Sequence, residues 1–555
     1  MGNDTALING SSINMVLRLS ALVSDHMVLQ RDKPWVISGK AEPNAEISVQ
    51  FGDQGTITPT IRNTTADEYG NWQVDLGEFA ASDSPHSLIV SENVGSHAEQ
   101  VSISDIVIGD VWLLSGQSNM ELWLSRTAHN YPDVMQVSDP LLRQVAMPQE
   151  PHFDKPISAL EVSKTEWKSF TPLTAPDFSA VGYFFGAKLR FRYQIPIGLI
   201  AAAVGGTPIS AWLPRAELDD LRIDCTESDK FASAATVANL TETEQAANNR
   251  YYSELDAADH GLSENWADPQ FDDSTWETTE LTDYVTGSGS HWYRKSLPVP
   301  PELSGRPAQI FLGTAIDMDT VFINGENIGT TYYRYPPRNY SFTMPVNNIT
   351  VAIRLLTFSG GGEFTPGKNR FIATDKGTLS LDEPWKTRTG ALVSDAPPQT
   401  RLVNFPSGLY NGMIAPLAET QLKGVAWYQG ESDTNSPDNY GAKLTALIQS
   451  WRNLFGDSEL PFAVQQVAHW SHTGSAGSSE SDADHQQNWE KLRNQQKLAL
   501  QLKNVGLSAG YDVGEWNDLH PQGKQIVGER LARLAYRLAY GELLPPNMFE
   551  QYTLA

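Results

Sequence analysis

Apolar and polar positions divide the chain into two kinds of sequence that alternate along its length. Between about residues 17 and 104, short runs of alternating apolar and polar residues such as Ala45–Phe51 are separated by turn signals, a pattern typical of an all-β sandwich. From Asp105 to about Ala246, and again from Arg401, strand patterns alternate with helical ones. This alternation predicts a mainly parallel sheet with helices on both faces.

Within the α/β part, apolar runs locate the individual elements. Continuous apolar runs predict buried strands, and apolar positions on one face predict helices. The last helix has a proline at its start, where a missing N–H costs little. The predicted strands cover Ile106–Leu114, Ile195–Val204, Gly424–Tyr428 and Phe462–Val467, and the predicted helices cover Val181–Arg192, Leu444–Phe455 and Pro521–Ala539.

A second β-rich block, from about Tyr251 to Thr400, interrupts the α/β pattern. It contains a strand-and-turn signal at Val321–Gly325 and an alternating strand pattern at Ile349–Leu355. We interpret it as a jelly-roll-like β-sandwich inserted into a loop of the α/β domain. The predicted boundaries are 1–104 for the N-terminal β-sandwich, 105–250 and 401–555 for the two parts of the α/β domain, and 251–400 for the insertion.

Composition narrows the classes of partner. A length of 555 residues favours two or three domains. The net charge of −26 argues against nucleic acid or an anionic membrane as a partner, because the basic surface that would neutralise phosphates is missing. The single cysteine, Cys225, excludes an intrachain disulfide and a cysteine-rich zinc site. The oligomeric state stays open.

Location in the cell is only partly constrained. No stretch approaches the ~18 apolar residues that span a bilayer, and Met1–Asn14 lacks both a basic n-region and a long apolar h-region. We expect a secreted or periplasmic bacterial protein in which Met1-Gly2 replaces a signal peptide, with a cytoplasmic location as the alternative.

The segment Leu113–Met120 carries the first candidate for chemistry. An apolar strand pattern ends there in small and polar residues, which are typical of a tight turn from a strand into a helix. Ser118 in such a turn has its hydroxyl above the sheet edge, near the unpaired N–H groups of the helix start. We interpret Ser118 as a candidate nucleophile, with a helix-capping serine as the alternative.

A nucleophilic serine needs a base and an acid that orients the base. His520 directly precedes the last predicted helix, so we expect it at the carboxyl edge of the sheet, where open α/β sheets place their sites. Asp518 lies two residues earlier, close enough to accept a hydrogen bond from the imidazole Nδ1–H. We expect His520 as the base and Asp518 as the acid, with helix capping as the alternative role of Asp518.

Two other strand ends offer donors for an oxyanion. Gly206 follows the strand pattern that ends at Val204, and a missing side chain there lets the backbone N–H approach a ligand. Gln429 follows the strand Gly424–Tyr428, and its side-chain amide is a donor. With the N–H of Ser118 they would form an oxyanion hole. The alternatives are an ordinary Gly-Gly turn and a solvated glutamine.

Five blocks of the chain resemble the SGNH (GDSL-like) hydrolases, and within them the sialate O-acetylesterase-like carbohydrate esterases. The blocks are Leu114–Met120, Phe178–Gly186, Gly205–Trp212, Trp427–Asp433 and Asp518–Pro521. This resemblance implies a three-layer αβα hydrolase domain. It also implies Ser118 as the nucleophile, His520 as the base, and Ser118, Gly206 and Gln429 as oxyanion donors.

The chain departs from the wider family at two positions. The acid commonly lies three residues before the histidine, but Asn517 stands there, and this branch often carries the acid at the position of Asp518. Gln429 stands where the wider family has an asparagine. Glu431 is a further candidate for supporting the site or orienting a substrate, and Trp212 for contacting one.

The inserted block is similar to the galactose-binding-like sandwiches of many glycosidases. Its tryptophans Trp266, Trp276 and Trp292 are either sugar platforms or core residues, and we expect core residues. Esterases that act on plant or algal polysaccharides can carry such an insertion. Whether it completes the substrate cleft stays open.

Together these patterns predict a carbohydrate O-acetylesterase that works through an acetyl-enzyme, without a metal or a cofactor. Acetylated plant or algal glycans such as xylan or xyloglucan fit the inserted sandwich, with acetylated sialic acid as the alternative substrate. A catalytically inactive glycan-binding protein is the alternative of another class. The complete set of Ser118, Asp518 and His520 argues against it.

Two further classes have weaker support in the sequence. A glycosidase needs two carboxylates at a defined separation, and no convincing pair is apparent. The pair His469 and His472 has a spacing that metal ligands use, but no further ligands accompany it. We therefore expect no metal site.

Overall fold

The computed structural model describes residues 17–53, 59–94, 97–382, 384–471, 482–543 and 552–554. In these ranges the chain forms an N-terminal β module, an α/β part in two segments, and a second β module between those segments. The described helices include none with the length and apolar character needed to cross a membrane. His472 lies outside the described residues.

The N-terminal module consists of two sheets. One sheet has the order β1-β3-β6, and the other the order β5-β4-β7-β8 with β2 beside β8. Trp35 and Phe51 pack edge to face in the core, which confirms the prediction of an all-β region here. The strands are β1 (Arg18–Leu19), β2 (Val28–Gln30), β3 (Val36–Lys40), β4 (Glu46–Asp53), β5 (Thr60–Thr65), β6 (Asn71–Asp75), β7 (Ser82–Val94) and β8 (His97–Gly116).

Strand β8 belongs to two modules at once. Its first part pairs with β7 of the N-terminal module, from His97 to Ile108. Its second part, from Asp110 to Gly116, enters the α/β sheet. The same hydrophobic core runs from the N-terminal module to one face of that sheet.

The first α/β segment carries the turn with Ser118 and one covering helix. The covering helix begins at Ser179, whose hydroxyl accepts a hydrogen bond from the N–H of Gly182. The elements are α1 (Ser118–Glu121), β9 (Asp139–Ala146), β10 (Trp167–Phe170), α2 (Ala180–Tyr193), β11 (Ile197–Ala203), α3 (Arg215–Asp220) and α4 (Thr226–Lys230).

The inserted module contains two helices and twelve described strands. Its larger sheets have the orders β12-β23-β14-β19-β16-β17 and β18-β15-β21-β22, and they enclose a core of their own. The elements are α5 (Ala234–Ala258), α6 (His260–Ser263), β12 (Glu277–Thr279), β13 (Val285–Thr286), β14 (Ser288–Pro298), β15 (Pro307–Phe311), β16 (Met318–Ile323), β17 (Glu326–Thr331), β18 (Asn339–Thr343), β19 (Asn348–Thr357), β20 (Gly361–Gly362), β21 (Phe371–Thr374), β22 (Gly377–Ser380) and β23 (Trp385–Val393).

Three tryptophans of the insertion form part of its interior. Trp266, Trp276 and Trp292 are 1%, 5% and 1% exposed, and Trp266 packs edge to face on the other two. The expectation that they are core residues is confirmed, and they do not offer faces to a sugar.

The second α/β segment supplies the remaining strands and helices. The final helix begins three residues later than predicted, because Gln522 turns back to donate its side-chain N–H to the carbonyl of His520. The elements are β24 (Gly424–Tyr428), α7 (Tyr440–Leu454), β25 (Phe462–Gln465), α8 (Asp482–Gln496), β26 (Val505–Ser508), α9 (Lys524–Leu538) and β27 (Tyr552–Leu554).

The central sheet has the order β10-β9-β11-β8-β24-β25-β26-β27. The inner six strands are parallel, and β10 and β27 pair antiparallel at the edges. Helices α2 and α9 pack on one face, where Phe185 and Leu531 are fully buried. Leu444 and Trp451 of α7 pack on the other face. The prediction of a mainly parallel sheet covered on both faces is confirmed.

Candidate active site

Three neighbouring strands of the central sheet end at the same level. Gly116 of β8 pairs with Ala203 of β11 on one side and with Tyr428 of β24 on the other. The turns that follow these strands carry Ser118, Gly206 and Gln429. The parallel register therefore brings the three predicted residues to one edge of the sheet.

The turn after β8 requires a glycine. Gly116 has a φ of +137°, and a Cβ at this position would lie 2.0 Å from the carbonyl oxygen of Tyr428. A side chain would therefore push β8 and β24 apart, because backbone atoms cannot give way as a flexible side chain can. Gly116 is what lets the chain turn at once from the strand into α1.

Ser118 is the first residue of α1 and is half-buried. Within the described residues, neither its hydroxyl nor its backbone N–H has a hydrogen-bond partner. The turn at Gly205-Gly206 lies against it, since a Cβ on Gly205 would be 3.3 Å from Cβ of Ser118. Gly206 has a φ of +73°, and its N–H also lacks an acceptor among the described residues. Two uncommitted N–H groups thus lie beside a free hydroxyl, as an oxyanion hole requires.

The side-chain amide of Gln429 already makes hydrogen bonds to other residues of the protein. Its Nε2 donates to Gln117 Oε1 at 3.1 Å, to the carbonyl of Thr207 at 3.0 Å and to Asp433 Oδ2 at 2.7 Å. Its Oε1 accepts a hydrogen bond from the hydroxyl of Tyr440 at 2.8 Å. Three acceptors already share the two amide hydrogens of this fully buried residue, so neither hydrogen is free for an oxyanion in this arrangement. The oxyanion role of Gln429 stays a prediction.

Gln117 joins the turn before Ser118 to the turn after β24. Besides the amide of Gln429, its Oε1 accepts hydrogen bonds from the N–H groups of Gly430 and Ser432, both at 3.2 Å. The sequence reasoning named its neighbour Ser118 and missed Gln117. Its position in the block Leu114–Met120 is the signal that was available.

Asn119 connects the turn of Ser118 to the loop of His520. Its Nδ2 donates to Glu431 Oε1 at 2.6 Å and to the carbonyl of Leu519 at 3.1 Å, and its Oδ1 accepts a hydrogen bond from Nζ of Lys524. The residue before His520 is therefore docked on the residue after Ser118. The structure brings the predicted nucleophile and base to the same place.

Glu431 supports this connection from inside the protein. It is 8% exposed, one carboxylate oxygen binds Asn119, and the other is buried without a hydrogen-bond partner among the described residues. Burial raises its pKa, while the hydrogen bond from Asn119 and the charge of Lys524 oppose that rise. Of the two roles expected from sequence, the contacts match support of the site.

His520 is buried at 6% exposure, with its ring 5.6 Å from the ring of Tyr335. Burial, and then the charge of Lys524, lowers the pKa of the imidazole to about 3. The ring is therefore neutral near pH 7, which is the state that accepts a proton. Its Nδ1 is buried and has no hydrogen-bond partner among the described residues.

Asp518 does not make the expected hydrogen bond to Nδ1 of His520. Its Oδ1 accepts the backbone N–H of His520 at 2.8 Å, and its Oδ2 lies 3.0 Å from Nζ of Lys368 in the inserted module. Burial raises the pKa of Asp518, and the Lys368 charge works against that rise. Asp518 thus fixes the backbone of the His520 loop, and its charge is matched by a residue that the sequence analysis did not consider.

The inserted module holds the His520 loop at three points. Lys368 binds Asp518 and also Glu515, at 2.6 Å. Asn517, the residue at the wider family's acid position, donates its side-chain N–H to the carbonyl of Pro366 at 2.7 Å. Tyr335 packs edge-on against the His520 ring. One signal of this contact is visible in the sequence, the aromatic and proline-rich run 332–337 inside the insertion.

The cation Arg401 lies against the Gly205-Gly206 turn, which is next to Ser118. The exposed side chain of Arg401 donates to the carbonyl of Gly205 at 2.7 Å, and a Cβ on Gly206 would lie 2.5 Å from its guanidinium. Glu121 accepts the N–H of Gly205 at 2.6 Å, and burial raises its pKa. The sequence reasoning named neither residue.

Trp212 cannot contact a substrate. Its ring is fully buried, donates to the hydroxyl of Thr207 at 3.1 Å and packs edge to face on Trp427. The expectation of a substrate contact is corrected: Trp212 is a core residue. In the described part of the chain, no group of three or more His, Cys, Asp and Glu side chains is arranged to hold a metal ion.

The overall fold is similar to that of a carbohydrate acetylesterase. The crystal structure of such an enzyme from Xanthomonas citri superimposes with a TM-score of 0.57 and 24% sequence identity, over 95% of this chain and 76% of the other. This likeness concerns the fold. It includes all three modules, because it extends over nearly the whole chain.

The family follows from the sequence match. Residues 108–237 and 376–537, together more than half of the chain, match the model of the carbohydrate esterase family described as sialic acid-specific acetylesterase. The chain belongs to this family.

Two mammalian proteins are similar over a shorter stretch. The sialate O-acetylesterase of Mus musculus is 28% identical over 229 residues, 40% of this chain and 41% of the mouse protein. The sialate O-acetylesterase of Homo sapiens is 26% identical over 208 residues, 36% of this chain and 39% of the human protein. The matched part thus spans about two fifths of these relatives.

Proposed function

We propose that this protein is a carbohydrate O-acetylesterase with Ser118 as its nucleophile. One observation carries the proposal. The free hydroxyl of Ser118 lies beside two uncommitted N–H groups, and a neutral buried imidazole is docked next to it through Asn119. Acyl transfer needs these parts: a nucleophile, a base and donors for the oxyanion.

The proposed reaction has two halves. Ser118 Oγ attacks the acetyl carbonyl carbon while His520 accepts its proton, and the N–H groups of Ser118 and Gly206 stabilise the oxyanion. The imidazolium then returns the proton to the sugar oxygen as the ester bond breaks. Water, deprotonated by His520, then attacks the acetyl-enzyme, the imidazolium returns the proton to Ser118 Oγ as that ester bond breaks, and acetate leaves. Gln429 contributes by fixing the turn after β24.

Asp518 is the proposed acid of the mechanism, and its contacts indicate how it would act. Its carboxylate pairs with Lys368, while Nδ1 of His520 has no partner among the described residues. For a Ser-His-Asp mechanism, the carboxylate turns from Lys368 towards Nδ1 when the imidazolium forms, because the new charge attracts it. Until then the charge of Lys368 favours the ionised form of Asp518 and opposes the rise in its pKa that burial causes.

Acetylated plant or algal polysaccharides and oligosaccharides, such as xylan or xyloglucan, are the proposed substrates. The inserted module supports this choice because it contributes side chains right beside the proposed base. Acetylated sialic acid is the second candidate. Arg401 favours it, since an exposed guanidinium beside Gly206 suits a carboxylate, and relatives carry that name.

We also assign the α/β part to the SGNH hydrolase architecture and the insertion to the jelly-roll-like sandwiches. The parallel strand order, the helices on both faces and the two sheets of the insertion support this assignment. The proposed boundaries stay at 1–104, 105–250, 251–400 and 401–555.

Replacing the nucleophile tests the activity. Ser118→Ala is expected to lower kcat on a small chromogenic acetate ester by about 10⁴-fold or more, because loss of a nucleophile removes most of the rate enhancement. Ser436→Ala, an exposed serine of the same α/β part, is the matched control and should behave as wild type. Activity of Ser118→Ala near wild type would refute the proposal.

The substrate is tested separately by acetate release. Acetylated xylan and acetylated xyloglucan are compared with 9-O-acetylated sialic acid. Faster release from the neutral glycans supports the first candidate. Faster release from the sialic acid supports the second.

A further inference from the structure

A cleft separates the inserted module from the loop that carries His520. It offers about 130 Å³ of space to water-sized molecules. Inserted-module segments around Thr314–Ile316, Arg334–Tyr335 and Glu363–Pro366 form one wall, and Trp516–Leu519 form part of the other. The cleft therefore exists only because the two modules are joined.

The cleft is lined by residues that contact or neighbour the proposed catalytic groups. Tyr335 lines it and touches the ring of His520. Leu519 lines it as well, and its carbonyl binds Asn119, the neighbour of Ser118. A glycan whose acetyl group is at Ser118 therefore has this space open to it next to the base.

The charges in the cleft are arranged against an anionic ligand. Arg334, a cation in its wall, donates to Asp317 at 2.8 Å and is neutralised by it. Of the two carboxyl groups that line the cleft among the described residues, Asp518 pairs with Lys368, whereas Glu363 has no side-chain partner. An unpaired carboxyl repels carboxylates and accepts hydrogen bonds from hydroxyl groups.

Burial raises the pKa of Glu363 to about 7. Near neutral pH this group therefore exists in both forms, and in each form it can hydrogen-bond to a sugar hydroxyl.

Exposed aromatic side chains lie in the cleft and in the chain segment that forms its wall. Trp516 in the cleft is 46% exposed, and Tyr333, next to Arg334 in the run 332–337, is 61% exposed. Exposed aromatic rings offer flat apolar faces with a polar edge, which match the C–H faces and hydroxyl groups of sugar rings.

We propose that this cleft binds neutral, hydroxyl-rich sugar units adjacent to the acetylated one, with Trp516 and Tyr333 as stacking surfaces and Glu363 as a hydrogen-bond acceptor. The inference rests on the proposed function, because it places the acetylated unit at Ser118. The inserted module thereby becomes part of the substrate site.

Binding is measured in the Ser118→Ala background, so that no turnover occurs. Xylohexaose is titrated calorimetrically, and hexagalacturonic acid serves as an anionic probe of the same length. We expect xylohexaose to bind at least about tenfold more tightly than hexagalacturonic acid. Trp516→Ala and Tyr333→Ala are each expected to raise the Kd for xylohexaose about tenfold, since each removes one stacking contact.

Tyr69→Ala, an exposed tyrosine of the N-terminal module, is the matched control and should leave the Kd unchanged. Unfolding temperatures identify any variant that is misfolded, and Tyr333→Ala then replaces Trp516→Ala because its ring is the more exposed. Equal or tighter binding of hexagalacturonic acid, or an unchanged Kd in both folded variants, would overturn the inference. Failure of the proposed function would appear elsewhere, as wild-type activity of Ser118→Ala.

Discussion

The two sides of the candidate site are held in different ways. Ser118 is placed by strand β8, by the glycine turn at Gly116 and by the register with the neighbouring strands. His520 lies in a loop that is held by Asn119 on one side and by Lys368 and Tyr335 of the inserted module on the other. The first side is built by the sheet alone, whereas the second side depends on another module.

This difference explains what each side tolerates. Contacts among adjacent strands are backbone contacts, so a change there strains the whole sheet. Contacts to the His520 loop are made by side chains across a module boundary. A substitution there changes the charge around His520 and the position of its loop, while the sheet stays intact. Substitutions on the first side are expected to cost stability, and substitutions on the second side to alter the pH dependence of the rate.

The largest effect is expected at the glycine of the Ser118 side. Gly116→Ala should lower the free energy of unfolding by about 3 kcal/mol or more and abolish activity, because its Cβ would meet the backbone of Tyr428 at 2.0 Å. Gly305→Ala is the matched control: its φ is +70° but its Cβ would meet nothing within 4 Å, so about 1 kcal/mol is expected. Denaturant unfolding measures both values. Equal losses would contradict this account of the turn.

Gln429→Leu distinguishes a structural glutamine from an oxyanion donor. The leucine removes one buried hydrogen-bond donor from each of Asp433, Gln117 and Thr207, so a stability loss of about 2–4 kcal/mol is expected. Chemical denaturation and kinetics on the small acetate ester are measured together. A variant of wild-type stability with a strongly reduced kcat would instead restore the oxyanion role predicted from sequence.

Lys368→Met tests whether the His520 side depends on the inserted module. Without the lysine, the pKa of Asp518 rises, because burial is no longer opposed by a positive charge. The acid limb of kcat/KM is therefore expected to move to higher pH, with a loss of roughly tenfold at pH 6. Lys376→Met, an exposed lysine of the same module, should leave the profile unchanged. Partial recovery in Lys368→Arg would exclude a merely steric effect.

The smallest effect is expected in the pH dependence that His520 itself imposes. With a pKa of about 3, the base stays neutral through pH 6.5, so kcat/KM should show no His520-dependent fall there. The unfolded chain, with an ordinary histidine, binds more protons between pH 3 and 6.5. His520 therefore makes the free energy of unfolding decrease as the pH falls through that window.

Lys524→Gln tests whether the charge of Lys524 contributes to the low pKa of His520. Loss of the Lys524 charge should raise the pKa of His520 and shift its acid limb upward by less than about one pH unit, because burial remains the larger cause. A downward shift, measured in the same pH–rate profile, would be inconsistent with this assignment of the charges.

Much of the fold could be predicted because its signals are local. The apolar run Gly424–Tyr428 coincides with β24, and the change from alternating to helical patterns near Asp105 marks the start of the α/β part. The positions of Ser118 and Gly206 after neighbouring strands could be predicted for the same reason, since a strand end and a glycine turn are both visible in a short window.

The rest depended on partners that are distant in sequence. Trp212 lies in a block that resembles the family, but sequence does not show that its ring turns into the core. Gln429 ends a strand as predicted, yet the fate of its amide depends on Thr207 and Tyr440. Lys368 reaches Asp518 across 150 positions, and a lone lysine in a β-rich insertion carries no local signal of that contact.

Strand β8 has a consequence for how the protein can be divided. Because one uninterrupted segment of backbone closes the N-terminal sandwich and also forms the middle of the central sheet, neither can melt without fraying the other. A truncation that starts at residue 105 would expose apolar surface of the shared core and remove the strand that pairs with the first part of β8. We expect one shared calorimetric transition for both, so the N-terminal module should not be removable without loss of the central sheet.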